Sequence, residues 1–581
     1  MRVFATVLLS MGLAASPLLA KNAGEAGKEE TPAAVTSAAA APDKPVAVKA
    51  EGSLIESEVQ DLRSLVEEQR AELEAQRAAL KAQQLKMEAL EEKLGGRSSE
   101  LVTAPVASSP SASAEPVASA AAITPAMSVS AASAASPAAQ AGKDDVSPLQ
   151  LRIGSAYLTP VGFMDFTGVW SNHDRGSGIG TNFAGIPNGA TAFQNHLNEF
   201  RESMQNSRIG FRFDAMVKGA HVIGYMESDY LGNNPGNVSV SSNSNTLRSR
   251  LYWVDVAKDK WELLGGQTWS LITPGRSGIS PLPGNLFFSQ DIDVNYQAGL
   301  VWGRIPELRF VYHPSSKVAF AVALDSPEQY VGKSAGGGTI TYPAALGGLN
   351  ATQFNDNTTT LGTPNVAPDV IVKLAVDPSS KFHFEVGGVE RQLKDWVAST
   401  NTTFSSTGGG VFINLNAELF KGFRVLTNNF WSDGGGRYIF GQVPDLIVRS
   451  NGAISPIKTG SDVSGFEYTH KNTMVYAYYG GIYVQKNATF DANGTTPIGY
   501  GYNGAAAGLN QNRSIQEETV GFNQTLWRDG KYGALNFMGQ YSFVHRNPWV
   551  VPAGSDKVAH LNMVFLNLRY TLPGSAPTLG K

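Results

Sequence analysis

Six arginines between residues 208 and 309 fall in segments of alternating apolar and polar residues. In 208–213, isoleucine and phenylalanine occupy the odd positions and leave Arg208 and Arg212 on the other face. The same alternation places Arg248 and Arg250 on that face, and Arg304 and Arg309 lie near the same region, where the alternation is less clean. A guanidinium keeps its charge at any relevant pH and can bind a carboxylate through two parallel hydrogen bonds. The pattern therefore predicts a basic ladder that favours anions.

Carboxylates are expected close to these arginines. Glu227 and Asp229 lie on the strand between two arginine-bearing segments, and Asp291 and Asp293 lie in the 270–298 connection. Acidic loop residues facing a basic wall would set up a transverse field that orients polar solutes. The alternative, that the charges only neutralise one another in a polar interior, stays open.

The 270–298 connection is unusually apolar for a loop. A loop surrounded by water would not hold such residues, whereas a loop folded inward against a wall could bury them. We predict a constriction loop with its aspartates facing the pore; the alternative is packing against a neighbouring subunit. The residues chosen for this loop are Pro281, Pro283, Phe287, Phe288, Asp291 and Asp293.

Short and long connections alternate strictly along residues 148–573. The short connections are turn-like, such as Lys218-Gly219 and Lys471-Asn472. The long ones are rich in Gly, Asn, Ser and Thr, at roughly 172–206, 232–246, 270–298, 326–368, 392–409, 433–462, 487–513 and 547–557. This layout is typical of a transmembrane barrel with brief periplasmic turns and long external loops. Seven turns and eight loops predict an all-β barrel of sixteen antiparallel strands, followed by a tail at 574–581.

The phase of the strands indicates which side faces water. In the last strand, Val564, Leu566 and Leu568 form one face, and Asn567 and Arg569 the other. An apolar outer face with a polar inner face suits a barrel in lipid around a water-filled lumen.

The N-terminal quarter of the chain predicts export and self-assembly. Residues 1–20 are typical of a secretory signal peptide, which predicts export. Together with the barrel pattern, this predicts the outer membrane of a Gram-negative bacterium. A spacer at 21–52 precedes a helix at 53–96 with apolar or amide residues every ~3.5 positions, which predicts a periplasmic coiled coil. Its core is Val59, Leu62, Val66, Gln69, Leu73, Gln76, Leu80, Gln83, Met87 and Leu90. Residues 97–147 form a linker rich in Ala, Ser and Pro.

The composition argues against several other classes of protein. The chain has no cysteine and a net charge of −4, which argues against thiolate metal sites, disulfides and nucleic-acid binding. The histidines show no metal-ligand spacing, and no catalytic arrangement or cofactor motif is supported. We therefore expect no enzyme; a barrel lipase is a distant alternative.

Two short motifs, with the loop between them, resemble the DcaP-like porins. They are Gly266-Gln267-Thr268-Trp269 and Asn295-Tyr296-Gln297. The order of signal peptide, coiled coil, linker and sixteen-strand barrel is also similar. The resemblance implies a homotrimer with a basic pore that takes up dicarboxylates and similar small anions. It leaves open whether the coiled coil contacts peptidoglycan or a periplasmic partner.

Two other classes remain as alternatives. Some sugar porins also carry an N-terminal coiled coil, but that class typically has eighteen strands and a row of stacked aromatics in the lumen. A trimeric adhesin or tether would use the coiled coil as its functional part, but adhesin barrels are far smaller per chain. The strand count and the mainly outward aromatics favour the anion porin.

Overall fold

The structure is a computed structural model that describes residues 147–574, with gaps at 176, 190–191, 235–243, 283–291, 333–338, 352, 357–366, 441–442 and 503–510. The predicted signal peptide, spacer, coiled coil with its core at 59–90, and nearly all of the linker lie outside the described residues. So does the tail from 575 onward.

Sixteen antiparallel strands close into one barrel, as the sequence predicts. The strands are β1 (Ala156–Ser171), β2 (Arg208–Val217), β3 (Ala220–Asp229), β4 (Arg248–Lys258), β5 (Trp261–Trp269), β6 (Arg304–Ser315), β7 (Val318–Asp325), β8 (Asp369–Ser379), β9 (Phe382–Val397), β10 (Thr402–Phe420), β11 (Phe423–Asp433), β12 (Lys458–His470), β13 (Thr473–Val484), β14 (Asn512–Asp529), β15 (Gly533–Pro548) and β16 (Ala559–Thr571). The barrel closes where β16 pairs with β1, from Phe163↔Thr571 to Ser171↔Met563.

Short strands, two hairpins and several 3-10 helices lie at the two ends of the barrel. Short strands Leu151–Ile153 and Glu199–Ser203 both pair with β1. Two hairpins stand in the loops, Leu446–Val448 with Ile454–Pro456 and Asn487–Phe490 with Pro497–Tyr500. The 3-10 helices are Phe183–Gly185, Phe193–Asn195, Ala344–Ala351, Ala398–Thr400 and Gly436–Tyr438. Within the described ranges no helix is long and apolar enough to cross a membrane.

The connections follow local backbone chemistry. Between β2 and β3, Lys218 and Gly219 both have positive φ, at 49° and 81°, as a tight two-residue hairpin with the barrel's twist requires.

The prediction of a long loop at 392–409 is wrong. Strands β9 and β10 stay paired up to Val397↔Thr402, and only 398–401 connects them. Alternating exposed threonine and serine suits a strand whose outer face meets water, and composition alone makes such a segment look like a loop.

The barrel is apolar outside and polar inside. Large apolar side chains are exposed on the outer face of successive strands, for example Phe213, Val254 and Leu374. Polar and charged side chains on the inner face are buried, for example Asp255, Glu307, Asp369, Lys373 and Asn414. Hydrocarbon can cover the first face, and only water or internal loops can satisfy the second.

Aromatic side chains cluster near the turn end of the outer wall. The rings of Trp261 and Tyr312 lie 4.2 Å apart, and those of Phe420 and Phe423 stack at 4.7 Å. Aromatic residues form such girdles at the edges of the apolar band of transmembrane barrels. The outer wall therefore has the surface that a lipid bilayer requires.

Candidate functional site: the interior of the barrel

The described parts of the third long loop, residues 270–282 and 292–303, lie inside the barrel. Its first part reaches strands that are remote from its own ends. The amide of Gly278 donates to Asp377 on β8 at 2.8 Å, and the amide of Gly275 donates to Glu385 on β9 at 3.2 Å. Arg276 binds Glu467 on β12, with Nη1 2.8 Å from Oε2. We call the connection of residues 270–303 the inward loop.

The second part of the inward loop reaches the wall formed by β13–β15. The amide of Ala298 donates to Glu517 on β14 at 2.8 Å, and the amide of Ile292 donates to Gln540 on β15 at 3.2 Å. On β13, a β-carbon at Gly480 would overlap the carbonyl oxygen of Ala298. The approach is therefore close enough to need glycine at Gly480. The loop crosses the lumen, and its effect on permeation stays a prediction.

Of the six residues predicted for the constriction loop, the structure describes only Pro281 and Asp293. The carbonyl of Pro281 accepts a hydrogen bond from Thr268 Oγ1 at 2.9 Å. Asp293 is only 1% exposed and accepts hydrogen bonds from the amides of Thr181 and Asn295, at 3.1 and 2.8 Å. Burial raises its pKa above the ordinary range despite these bonds. Four chosen residues lie outside the described residues: Pro283, Phe287, Phe288 and Asp291.

The prediction that Asp293 faces the pore is therefore wrong. Its carboxylate ties the inward loop to the first loop, where the Thr181 amide would otherwise be buried without a partner. A buried backbone donor without an acceptor costs about 1–3 kcal/mol, so the structure uses this carboxylate for packing. The sequence showed an acidic residue in the loop but not the amide that it meets.

Arginines from β2 and β4 form a cluster with two carboxylates of β3. Arg250 binds Glu227 and Asp229 at 2.8 and 2.9 Å, and Arg248 binds Asp229 at 2.8 Å. Arg208 lies 3.9 Å from Glu227. The side chains of Arg208 and Arg248 are 20% and 40% exposed, whereas Arg250 is buried. Water therefore reaches two of the three guanidinium groups.

Arg304, at the start of β6, joins this cluster without an acid of its own. Its guanidinium lies over the rings of Trp269 and Trp302, 5.5 and 5.1 Å from their centroids. Among the described residues no carboxylate lies within ion-pair distance of it. The faces of these two rings stabilise its half-buried charge.

A fifth arginine, which the sequence analysis did not select, extends the cluster onto β16. Arg569 binds Asp165 at 2.7 Å and lies 4.3 Å from the ring of Phe163, which also carries Arg208 at 4.9 Å. Its position on the polar phase of the last strand was the available signal. We define the arginine cluster as Arg208, Arg248, Arg250, Arg304 and Arg569. With Glu227, Asp229 and Asp165, five positive and three negative charges leave an excess of two among the described residues.

The other two arginines of the predicted ladder are enclosed in ion pairs. Arg212 binds Asp214 through two bonds of 2.8 and 2.9 Å. Arg309 binds Glu307 and donates to the carbonyl of Trp269. Both arginines are buried. The predicted ladder of six is therefore divided: Arg208, Arg248, Arg250 and Arg304 lie in one cluster, and Arg212 and Arg309 lie in separate ion pairs.

Tyr296 of the inward loop faces the arginine cluster. Its hydroxyl lies 3.5 Å from Nη2 of Arg250. Burial alone would raise the pKa of this phenol, but the positive charges of Arg250, Arg208 and Arg304 outweigh burial and lower the pKa to about 8. The loop therefore brings a titratable group to the most positive part of the lumen.

Aromatic side chains also gather on the inner face, where the sequence analysis expected few. Tyr225 and Trp253 stack at 5.3 Å, and Trp302 stacks on Phe440 at 4.9 Å. Trp253, Tyr225 and Trp302 are buried, so their faces contact one another and the loops. They do not form an open row on which a sugar could slide. Across the described ranges, no group of three or more His, Cys, Asp or Glu side chains is placed to hold a metal ion.

Comparisons with known proteins rest on structure alone, since no family model and no curated protein matches the chain. The structure is similar to the outer-membrane channel DcaP of Acinetobacter baumannii, with 15% identity, a TM-score of 0.52, and coverage of 72% of this chain and 97% of that one. An anion-selective porin from Comamonas acidovorans matches with 10% identity, a TM-score of 0.41, and coverage of 72% and 99%. The resemblance to DcaP-like porins is thus confirmed in fold: the chain has the sixteen-strand barrel of an outer-membrane channel.

Proposed function

We propose that the chain forms a water-filled outer-membrane channel through which small polar solutes diffuse, with a preference for anions such as dicarboxylates. The apolar outer face fits the membrane, and a polar inner face narrowed by a loop fits a channel. The fold shared with DcaP supports the same assignment.

The arginine cluster is the observation that carries the preference for anions. It has two positive charges in excess among the described residues, and water reaches Arg208 and Arg248. A fixed positive charge in a narrow polar passage with low-dielectric walls concentrates anions there. Spaced guanidinium groups also suit a solute with two carboxylates.

Swelling of proteoliposomes tests the preference directly. Vesicles containing the full chain should swell faster in succinate than in an uncharged sugar alcohol of similar size. The variant Arg208→Ala/Arg248→Ala/Arg304→Ala should lose most of that difference, whereas Arg513→Ala, which removes an exposed arginine beside Trp549, should keep it. Equal swelling in both solutes would refute the preference, and no swelling at all would refute the channel.

We further propose that the protein is a homotrimer whose coiled coil lies in the periplasm. The heptad pattern at 53–96 and the resemblance to trimeric porins support this. An unheated sample of the full chain should migrate as a trimer on a gel, and a monomer band alone would count against it. The coiled coil would then act as a clamp that holds the trimer together, or would bind peptidoglycan or a periplasmic partner. In either case, deleting 53–96 should leave the single-channel conductance unchanged.

The two alternative functions gain no support from specific observations. A sugar porin would need exposed aromatic faces in the lumen, and the inner aromatics described above are buried. A tether or adhesin would have no use for a lumen with a loop folded across it and water-accessible arginines on one wall.

A further inference from the structure

A histidine and two carboxylates stand where the inward loop meets β8 and β9. The ring of His383 places Nδ1 2.8 Å from Asp377 and Nε2 3.1 Å from Glu385. The side chains of His383 and Glu385 are only 2% and 1% exposed, whereas Asp377 is 21% exposed, so water reaches Asp377 but hardly reaches the ring. Both nitrogens of one ring therefore face a carboxylate oxygen.

The same two carboxylates hold the loop. The second oxygen of Asp377 accepts from the Gly278 amide, and the second oxygen of Glu385 accepts from the Gly275 amide. Asn414 of β10 donates to both Glu385 and the Gly275 carbonyl, at 3.1 and 2.8 Å. Displacement of either carboxylate would therefore displace the loop backbone.

Carboxylates outnumber cations around His383, so a protonated ring offsets part of the negative charge. Lys373 lies 3.4 Å from Glu385 and donates to the carbonyl of Thr273 in the loop at 2.8 Å. Arg309 and Glu307 face the same pocket as a bound pair. Asp325 lies beside Glu307, and Asp255 lies near Arg309.

Loss of the histidine proton would remove that offset. A neutral imidazole has one N–H donor, so one of its two nitrogens would present a lone pair to a carboxylate. In a site with little water that repulsion is weakly screened. By contrast, the neighbouring Arg276, which binds Glu467, carries a guanidinium that stays charged at any relevant pH.

We propose that His383, with Asp377 and Glu385, is a proton-dependent positioning site for the inward loop, which the protonated ring holds firmly and the neutral ring loosens. The proposal rests on the proposed channel function only for its effect on current, since loop motion can be measured separately. The three residues do not contact a solute; they act through the loop.

The loop motion can be read with a spin label, because the chain has no cysteine of its own. Ser277 is exposed between the two anchored glycines, so Ser277→Cys carries the nitroxide. With the wild-type histidine, the label should be immobile at about pH 5 and more mobile at about pH 10, because these values lie well below and well above the value of about 6.5 at which an ordinary histidine titrates. In Ser277→Cys/His383→Gln the label should be mobile at both pH values.

A second lumenal histidine supplies the matched control. His313 on β6 lies 3.2 Å from Glu262 on β5, and its described contacts do not involve the inward loop. His313→Gln should keep the wild-type mobility profile. If His383→Gln fails to assemble, Asp377→Asn, which removes one of the two carboxylates, should also give a mobile label at both pH values.

Single-channel recordings in planar bilayers complete the test. Open-channel current noise should rise with pH in the wild type and in His313→Gln, and should be high and independent of pH in His383→Gln. A wild-type profile in His383→Gln, or equal changes in both histidine variants, would overturn the proposal. Loss of anion preference in the same recordings would count against the proposed function without touching the loop result.

Discussion

The two sides of the lumen carry similar charged residues, but water reaches some of those on one side, whereas many of those on the other side are buried. In the arginine cluster on β2–β6 and β16, five arginines face three carboxylates, and water reaches Arg208 and Arg248. On the wall of β8–β12, several charged groups are instead buried in ion pairs. There Arg391 lies between Asp369 and Asp445, at 2.9 and 2.8 Å, with all three side chains at most 1% exposed. We conclude that access to water, rather than residue type, separates charges that can select solutes from charges that hold loops.

The reason lies in the cost of burying charge. A buried ion is tolerated only when partners neutralise it and satisfy its hydrogen bonds, so the wall of β8–β12 has little free charge to offer a solute. A partly hydrated guanidinium has a smaller desolvation penalty, and its N–H donors stay available to an incoming carboxylate. The comparison leads to four predictions.

The largest expected effect is on selectivity. Arg208→Ala/Arg248→Ala/Arg304→Ala removes three positive charges from a cluster whose excess is two, so the ratio of anion to cation permeability should fall below unity. The ratio is obtained from reversal potentials under a salt gradient. Arg513→Ala serves as the control, and a triple variant that stays anion-selective would show that these charges do not face the permeation path.

The next effect is on stability, where the two walls should differ sharply. Arg391→Met removes the ion-pair partner of buried Asp445 and leaves buried Asp369 with Arg437 alone, and should lower the free energy of unfolding by about 3–5 kcal/mol. Arg248→Met breaks a pair that is partly exposed and should cost about 0–1 kcal/mol. Denaturant titration of both variants in detergent compares the two values, and similar losses would remove the distinction between the walls.

A smaller effect is expected where the inward loop touches β13. Gly480→Ala adds a methyl group that overlaps the carbonyl of Ala298, so the loop should move toward the middle of the lumen and lower the single-channel conductance. Gly224→Ala on β3 is the control, because its methyl group would meet only ordinary contacts with Phe213. An unchanged conductance in Gly480→Ala would mean that the loop does not limit the current.

The smallest effect is a pH dependence of selectivity. The pKa of Tyr296 is about 8, so the phenol is neutral below that pH and becomes a phenolate above it. The phenolate cancels one of the two excess charges, and anion preference should decline as the pH rises through about 8. In Tyr296→Phe the preference should stay constant over that range; a decline of the same size in this variant would assign the titration to another group.

The sequence predicts the barrel well because its signals are local. Alternation with a period of two and a turn after each pair of strands follow from the backbone itself, and they were enough for the strand count and for the inward face. Local signals also explain the wrong prediction of a loop at 392–409. The composition there is typical of a loop, but exposed threonines and serines can continue a strand ladder above the membrane.

The candidate site depended on contacts that no local pattern contains. The sequence placed Arg309 and Arg304 near the same region but could not show that Arg309 binds Glu307 while Arg304 lies over two tryptophans. Asp293 was selected for its charge, and its partner Thr181 lies more than a hundred residues away. Pairings of this kind are set by strand register and loop packing.

The reversal potential of the wild-type protein in a planar bilayer is the most direct test of the central claim. With a gradient of potassium chloride, the excess of positive charge in the arginine cluster predicts the sign of an anion-selective channel at pH below about 8. A reversal potential of the opposite sign would contradict the account, because it would mean that the arginines are neutralised where solutes pass.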